Sequence, residues 1–426
     1  MKDSKNNTLI IITRHYPYGA VSESFLDPEI PHLCSIFHKI IIVPTKKPTF
    51  IEKTERNFPS NVTIENSFIQ NTSFYNIKNK PLRNISRLLI VIRSRHFYRE
   101  VINNFSVIVH KSAMTCLVKH LSNALYFEKW LKKYIQKEDF DLSKTIFYTY
   151  WLMGVTSGIA FTKIHYPEIK LISRAHAWDL YEERHMPHYI PYRKEIFQYL
   201  NKLFLISEYG KQYIVKRYPK AELICTVAKL GVMNPNFTTK TSSDEILRIV
   251  SCSYVSPIKR IDVIIRGLAK LSELRPENRI KWVHIGYGSL LPKIKNLSKE
   301  YLPTNIEFSF TGYLQNVIQY YKDNCVDIFI NTSASEGIPV TIMEVQSCGI
   351  PVIATSVGGT PEIVSDTVGV LLSENPTPLE VASAICRILD NPEKFREQRL
   401  NSKKNWEANY NAERNFSSFA KQLKEL

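Results

Sequence analysis

The chain has 426 residues, too many for one ordinary hydrophobic core, so two domains are the starting expectation. Apolar residues make up 44% and charged residues 23%, with 22 Pro and 14 Gly, a balance that excludes collagen-like, mucin-like and largely disordered classes. The net charge of +16 is unevenly placed, because residues 1–250 hold 36 Lys and Arg against 21 Asp and Glu while residues 251–426 hold 20 against 19.

The chain opens on a short apolar tetrad, Leu9-Ile10-Ile11-Ile12, too short for a signal peptide or a membrane span and suited to a first strand, Thr8 to Arg14. Further strands are expected at Ile40 to Val43, Thr145 to Trp151, Leu171 to Arg174 and Leu203 to Ser207. Residues 50–105 resist assignment, since Leu88-Leu89-Ile90-Val91-Ile92 is apolar throughout and fits a buried strand or a helix. In Leu121 to Lys137 a helical wheel puts Ala124, Phe127, Leu131, Tyr134 and Ile135 on one side and Lys129, Lys132, Lys133 and Lys137 on the other. The turn formers between Asn234 and Asp244 make the best linker. Beyond it, strands at Leu247 to Ser251, Lys281 to Ile285, Ile306 to Thr311, Val326 to Asn331 and Pro351 to Thr355 alternate with helices at Ile261 to Leu271, Pro292 to Lys299 and Thr341 to Cys348. Such succession predicts parallel, doubly wound sheets, hence an α/β chain of two Rossmann-like domains, residues 1–236 and 245–403. A C-terminal helix over 404–426 is expected to return to the first domain.

Seven scattered cysteines with no C-x-x-C pair suggest neither a disulfide framework nor a zinc site, which fits a reducing cytosol. Nucleic acid is not an expected partner, because no zinc-finger spacing or aromatic-rich nucleic-acid signature is present. The basic first half instead suits an anionic surface or a phosphorylated acceptor.

The segment Ser333 to Glu344 follows a buried strand and opens a helix closed by Gly349 and Pro351. Strand ends and helix N-termini offer free N–H groups and partial positive charge, the setting in which an open α/β sheet holds a diphosphate or a sugar hydroxyl. Two glutamates eight apart, Glu336 and Glu344, are on their own most often solvated helix residues. Asp139-Phe140-Asp141 and His185-Met186-Pro187-His188 look like metal motifs, but the first precedes a strand and a proline interrupts the second, so no metal site is expected.

Glu336 and Glu344, followed by Ser347-Cys348-Gly349-Ile350-Pro351 and by Gly358-Gly359-Thr360-Pro361-Glu362, resemble the signature of retaining glycosyltransferases of family four. The likeness is strong over 246–420 and looser in the first half, through Tyr16-Pro17-Tyr18-Gly19, Ser173-Arg174-Ala175-His176 and Ser207-Glu208-Tyr209-Gly210. The wording is similar to bacterial capsule, exopolysaccharide and O-antigen enzymes. The resemblance implies the GT-B fold, two Rossmann-like domains facing across a cleft, and metal-independent transfer from a nucleotide-diphosphate sugar, a substrate rather than a cofactor. It implies a glycan or lipid-linked acceptor. The charge asymmetry and the lysine face of Leu121 to Lys137 suit an anionic membrane surface as partner of the basic first domain, hence a cytoplasmic enzyme peripheral at the inner face of the cell membrane, with a merely solubilising face as the alternative. A nucleotide-sugar epimerase on the same fold and a non-catalytic scaffold subunit stay open.

Residue by residue, the resemblance implies that Glu336 contacts the donor sugar, Glu344 accepts from the ribose, and the backbone of Gly337, Ile338, Val340 and Thr341 faces sugar and phosphates. Pro339, where many relatives have glycine, offers no N–H. Lys259 matches the diphosphate-binding lysine, and Arg260 stands in for an arginine that relatives carry where this chain has Tyr254. Gly286 and Gly288 resemble the glycine turn at the nucleotide, Gly19 belongs to the acceptor loop, and His176 hydrogen-bonds the reacting sugar. The catalytic set is then His176, Lys259 and Glu336.

Overall fold

Runs of aliphatic and β-branched residues become parallel strands because helices cover both faces of each sheet, so neither face of a run needs polar residues. The computed structural model describes residues 7–19, 23–46, 56–71, 80–138 and 140–426. It divides into one unit of Met1–Ile206, Gly210–Ala228 and Ser417–Leu426 and a second of Ser207–Tyr209 and Lys229–Phe416.

The first unit holds a seven-stranded sheet of β1 (Thr8–Thr13), β2 (Lys39–Pro44), β3 (Val62–Ile64), β4 (Thr145–Thr149), β5 (Lys170–Ala175), β6 (Lys202–Leu205) and β7 (Cys225–Val227), in the order β3-β2-β1-β4-β5-β6-β7. All pairings are parallel, with Ile10 beside Ile41 and Phe147. Alternation along β1 and β2 sends Ile10, Ile12, Ile41 and Val43 into one core with Leu117, Leu121 and Phe127 of the helix Lys111–Glu138. Leu9, Ile11, Ile40 and Ile42 enter the other, with Leu26, Leu33 and Phe419. Arg174 on β5 lies wholly buried there, paired with Glu29, whose carboxylate also accepts the Tyr148 hydroxyl at 3.2 Å. Its guanidinium sits 4.0 Å over the ring of Phe419.

The second unit holds β8 (Ile246–Cys252), β9 (Arg279–Ile285), β10 (Ile306–Gly312), β11 (Ile328–Asn331), β12 (Val352–Thr355) and β13 (Gly369–Leu372), in the order β10-β9-β8-β11-β12-β13. These strands too are all parallel. Each sheet is thus Rossmann-like, reversing its winding between β1 and β4 or between β8 and β11, where such folds open a crevice at the strands' C-terminal ends.

Several sequence expectations are corrected. Leu88 to Ile92 is the end of the helix Lys80–Ile92, with Val91 buried and Leu88, Leu89 and Ile92 exposed. Edge strands β3, β7 and β13 were not anticipated. The second unit begins at Lys229, earlier than the turn-rich linker, since Val232 N donates to Tyr410 O and Thr239 N to Cys348 O. The C-terminal segment is two helices, Pro392–Asn409 and Ala412–Lys424, and only the residues from Ser417 onward join the first unit. Residues 50–55 and Asp139 lie outside the described residues, and Asp141 caps a turn by accepting from Ser143 N and Oγ.

The helices Ile261–Leu274 and Pro378–Leu389 meet where Gly267 faces Val381, and a Cβ on Gly267 would lie 2.4 Å from Val381 Cγ1. Alanine in a helix interior is favoured over glycine by ~1 kcal/mol, but forcing a methyl against a buried β-branched side chain costs ~1–3 kcal/mol. Gly267→Ala is therefore expected to lower the thermal midpoint, and a raised midpoint would show that the helix pair can separate without cost.

Candidate functional site

In the second unit the site grows from the loops that leave β8 and β11, the strands flanking the winding reversal. After β8 the chain makes a short turn, Pro257–Lys259, and Arg260 then adopts a left-handed conformation (φ 46°) that starts the next helix. After β11, the Thr332 hydroxyl donates to the carbonyl of Arg260 at 2.9 Å, and Ala334 N donates to Ile258 O at 2.7 Å. The two loops are stitched along their backbones. One result is that Lys259 Nζ meets Glu336 Oε1 at 2.5 Å, with both side chains largely shielded from solvent.

Behind the second loop run Gly358 and Gly359. A Cβ on Gly358, whose φ is +55°, would fall 1.9 Å from the Glu336 carbonyl, and Gly359 N donates to Gly337 O at 2.8 Å. No other residue type lets the backbones come so close. The loop ends on Pro339, which caps the helix Val340–Ser347. The amides of Val340 and Thr341 make no hydrogen bond to a described residue, which leaves two donors at the positive end of a helix. Ile338 is buried, so it offers only its backbone.

Glu344 sits one turn into that helix. Its carboxylate accepts no hydrogen bond from the described residues, and burial pushes its carboxyl up to about 7. The Cys252 thiol at the end of β8 is raised first by burial and then by the Glu344 charge, while the Lys259 ammonium pulls the other way. Both charges therefore act on the end of β8.

The other candidates have different placements. Arg260 donates to Thr332 O (2.8 Å), Ser333 O (2.9 Å), Glu374 O (2.7 Å) and Asn375 Oδ1 (2.8 Å), so its fork is a clamp on the protein's own carbonyls rather than a free phosphate ligand. Gly286 and Gly288 are required by the neighbouring chain, since added Cβ atoms would sit 1.9 Å from Ser253 O and 2.3 Å from Val255 O. In the first unit, Gly19 turns at φ +78° with its carbonyl held by Arg56 Nη1. His176 is buried at the end of β5 against the rings of Tyr150 and Trp151, its two ring nitrogens bonded to no described residue and its N–H donated to Asp179 Oδ1.

Sequence reasoning missed three half-exposed tyrosines, Tyr254, Tyr287 and Tyr313, which meet edge to face at 5.3 and 6.0 Å past the ends of β8, β9 and β10. A tyrosine shortly after each of three successive strands was the available signal. It also missed the structural need for Gly358 and Gly359.

Residues 237–406 match the family described as glycosyl transferases group 1. An uncharacterized glycosyltransferase of Methanocaldococcus jannaschii is 22% identical over 326 residues, 72% of this chain and 81% of the relative. A glycosyltransferase of Escherichia coli named for colanic acid biosynthesis is 26% identical over 216 residues, 48% of this chain and only 52% of that protein. The structure of Anabaena HepE in complex with UDP and glucose superposes with a TM-score of 0.62 at 13% identity, covering 99% of this chain and all of the other, a likeness of GT-B fold. The pattern of the group 1 glycosyl transferases is thus seated, over residues 237–406, on the loops that hold Lys259, Glu336 and Glu344.

Proposed function

We propose that the protein is a retaining, metal-independent glycosyltransferase that moves a sugar from a nucleotide-diphosphate sugar to a glycan or lipid-linked acceptor in bacterial surface polysaccharide synthesis. The observation that carries this reading is Glu344, a desolvated carboxylate with no described donor beside two open amides and a lysine. A ribose supplies the hydroxyl donors that such a carboxylate lacks, and a diphosphate suits the amides and the ammonium.

Donor binding exchanges partners. Lys259 turns from Glu336 to the diphosphate, and Glu336, relieved of the ammonium, accepts from hydroxyls of the donor sugar. As the glycosidic bond breaks, charge accumulates on the departing diphosphate, where Lys259 and the amides of Val340 and Thr341 already stand, while the acceptor attacks on the leaving-group face. His176 offers one ring nitrogen as donor and one as acceptor to the reacting sugar. The UDP and glucose held by HepE and the colanic acid name of the E. coli relative support a nucleotide-sugar donor and a surface-glycan product. Transfer from the preferred nucleotide sugar should run undiminished in EDTA, and the product read by NMR should keep the donor's anomeric configuration. An inverted product overturns retention, and an epimerised sugar released without an acceptor makes the protein an epimerase.

Glu344 gives a pH signature. Hydroxyls donate to the ionised form, so below about 7 binding has to expel a proton and affinity should climb with pH, levelling above 7. Calorimetry should show this rise in the wild type and a flat profile in Glu344→Gln. Loss of the charge-assisted bonds, worth roughly 1.5–3 kcal/mol, should weaken nucleotide affinity ~10- to 100-fold. A mutant with wild-type affinity removes Glu344 from the site.

A peripheral membrane location belongs to the same proposal. Among the described residues no helix is long and apolar enough to cross a membrane. On the long helix Lys111–Glu138, Lys132 and Lys137 are paired with Glu128 and Glu138, which leaves Lys129 and Lys133 of the four-lysine face without an ion pair among the described residues. The helix Lys80–Ile92 is the better surface, since Leu82, Ile85, Leu88, Leu89 and Ile92 are exposed on it and Arg93 and Arg95 follow, a combination that suits an anionic bilayer. Co-sedimentation should require anionic vesicles, fall with salt and drop in Leu82→Ser with Leu89→Ser. Equal behaviour with neutral vesicles would leave no lipid role for this face.

A further inference from the structure

The first unit has a cavity of about 640 Å³ at the C-terminal ends of β1, β2 and β4, beside its own winding reversal. Its size is within the usual range for a small-molecule site, about 300–1,000 Å³. None of the second unit's site residues lines it.

Its charge is one-sided. Arg14, Lys46, Arg83 and Lys119 line the walls, with Arg87 one turn from Arg83 on the same helix. Among the described residues, none of Arg14, Lys46, Arg83 and Lys119 has a carboxylate within ion-pair distance, and Arg83 Nε is buried with no acceptor. The nearby acids are committed elsewhere. Asp179 accepts from Leu152 N at 2.7 Å and His176 N at 2.6 Å. Glu23 accepts from the amides of Arg14, His15 and Tyr16 and from Trp151 Nε1. Burial first and then the Arg14 charge lower the Lys46 ammonium, as expected of cations gathered without a counter-ion. At the wall, the helix Gly154–Lys163 begins with Gly154 and Val155, whose amides donate to no described residue.

We propose that this cavity binds a phosphate or diphosphate group carried by the acceptor, seated among Arg14, Lys46, Arg83 and Lys119 with the amides of Gly154 and Val155 completing the donors. Guanidinium forks, ammonium groups and helix N-terminal amides are the donors that phosphoryl oxygens take. Calling the ligand the acceptor rests on the glycosyltransferase reading; the anion site itself rests only on its lining. The phosphate can arrive on a water-soluble sugar or on a lipid, and the outward apolar stripe of the helix that carries Arg83 gives the lipid a route.

The test is calorimetry on the full chain saturated with UDP or GDP, so that the second unit's diphosphate site is filled, or on Lys259→Ala if neither nucleotide binds. Three probes are titrated: inorganic pyrophosphate, a hexose 6-phosphate and a short isoprenyl diphosphate. Pyrophosphate should bind with an affinity that falls as salt rises. Lys46→Gln with Arg83→Gln should weaken it at least tenfold while nucleotide affinity stays as in the wild type. Tighter binding of the hexose phosphate assigns a soluble acceptor, and tighter binding of the isoprenyl diphosphate a lipid-borne one. The proposal is overturned if no phosphate probe binds the nucleotide-saturated protein, or if the double variant binds pyrophosphate like the wild type. Should the double variant lose its fold, Lys119→Gln on an exposed side chain decides instead, and an unchanged pyrophosphate affinity there is equally fatal. A protein that binds these probes but transfers no sugar keeps the anion site and loses the glycosyltransferase reading.

Discussion

Arg260 holds the second unit's site in shape. Its left-handed backbone turns the chain out of the β8 loop, and its planar fork then binds carbonyls at the end of β11 and in the loop after β13. Three segments far apart in sequence are tied to one guanidinium, an arrangement a flexible ammonium could not reproduce. Because the clamp grips backbone carbonyls, it fixes the loops that carry Lys259 and Glu336 by a single side chain. Pre-organisation of that kind is what stabilising a transient charge requires, since donors that must move into place lose energy in doing so.

The same loops explain how a lysine and a glutamate can be poised yet occupied. The Lys259–Glu336 pair satisfies two partly buried charges that would each be costly alone. Glu344 is handled the other way: it has no such partner among the described residues, and burial raises its carboxyl toward neutrality. In the proposed reading a diphosphate sugar would reverse both arrangements, attracting the lysine and presenting hydroxyls to both carboxylates. The unliganded protein therefore avoids uncompensated buried charge without filling the site with its own side chains.

Much of the fold was legible because parallel strands buried on both faces read as unbroken aliphatic runs, as in Leu9 to Ile12 and Ile40 to Val43. Edge strands such as Val62–Ile64 and Cys225–Val227 escaped because three residues paired on one side leave no such run. Leu88 to Ile92 was ambiguous for a different reason. A helix distributes five consecutive apolar residues around its circumference, and here several point outward, against the rule that links apolarity to burial. In the candidate site, Glu336, Glu344 and Lys259 stand out through a family resemblance, which carries no information on their mutual contacts. Whether Arg260 reaches solvent or the carbonyls of a loop seventy residues away depends on one positive φ, and no propensity of arginine announces that.

The charge asymmetry of the sequence has a local meaning in the structure. In the second unit several cations are held by partners: Arg248 by Asp244, Arg275 by Asp390, Lys281 by Glu307, Arg260 by carbonyls. In the first unit part of the excess lines one cavity, through Arg14, Lys46, Arg83 and Lys119. Concentrating like charges costs stability, and a fold tolerates it where a counter-charge arrives from outside. A low-dielectric wall also focuses the field outward, so anions are drawn to that opening at a rate set by ionic strength. Five of the 36 Lys and Arg in residues 1–250 line that cavity, so the +15 has one local concentration within a broadly basic half.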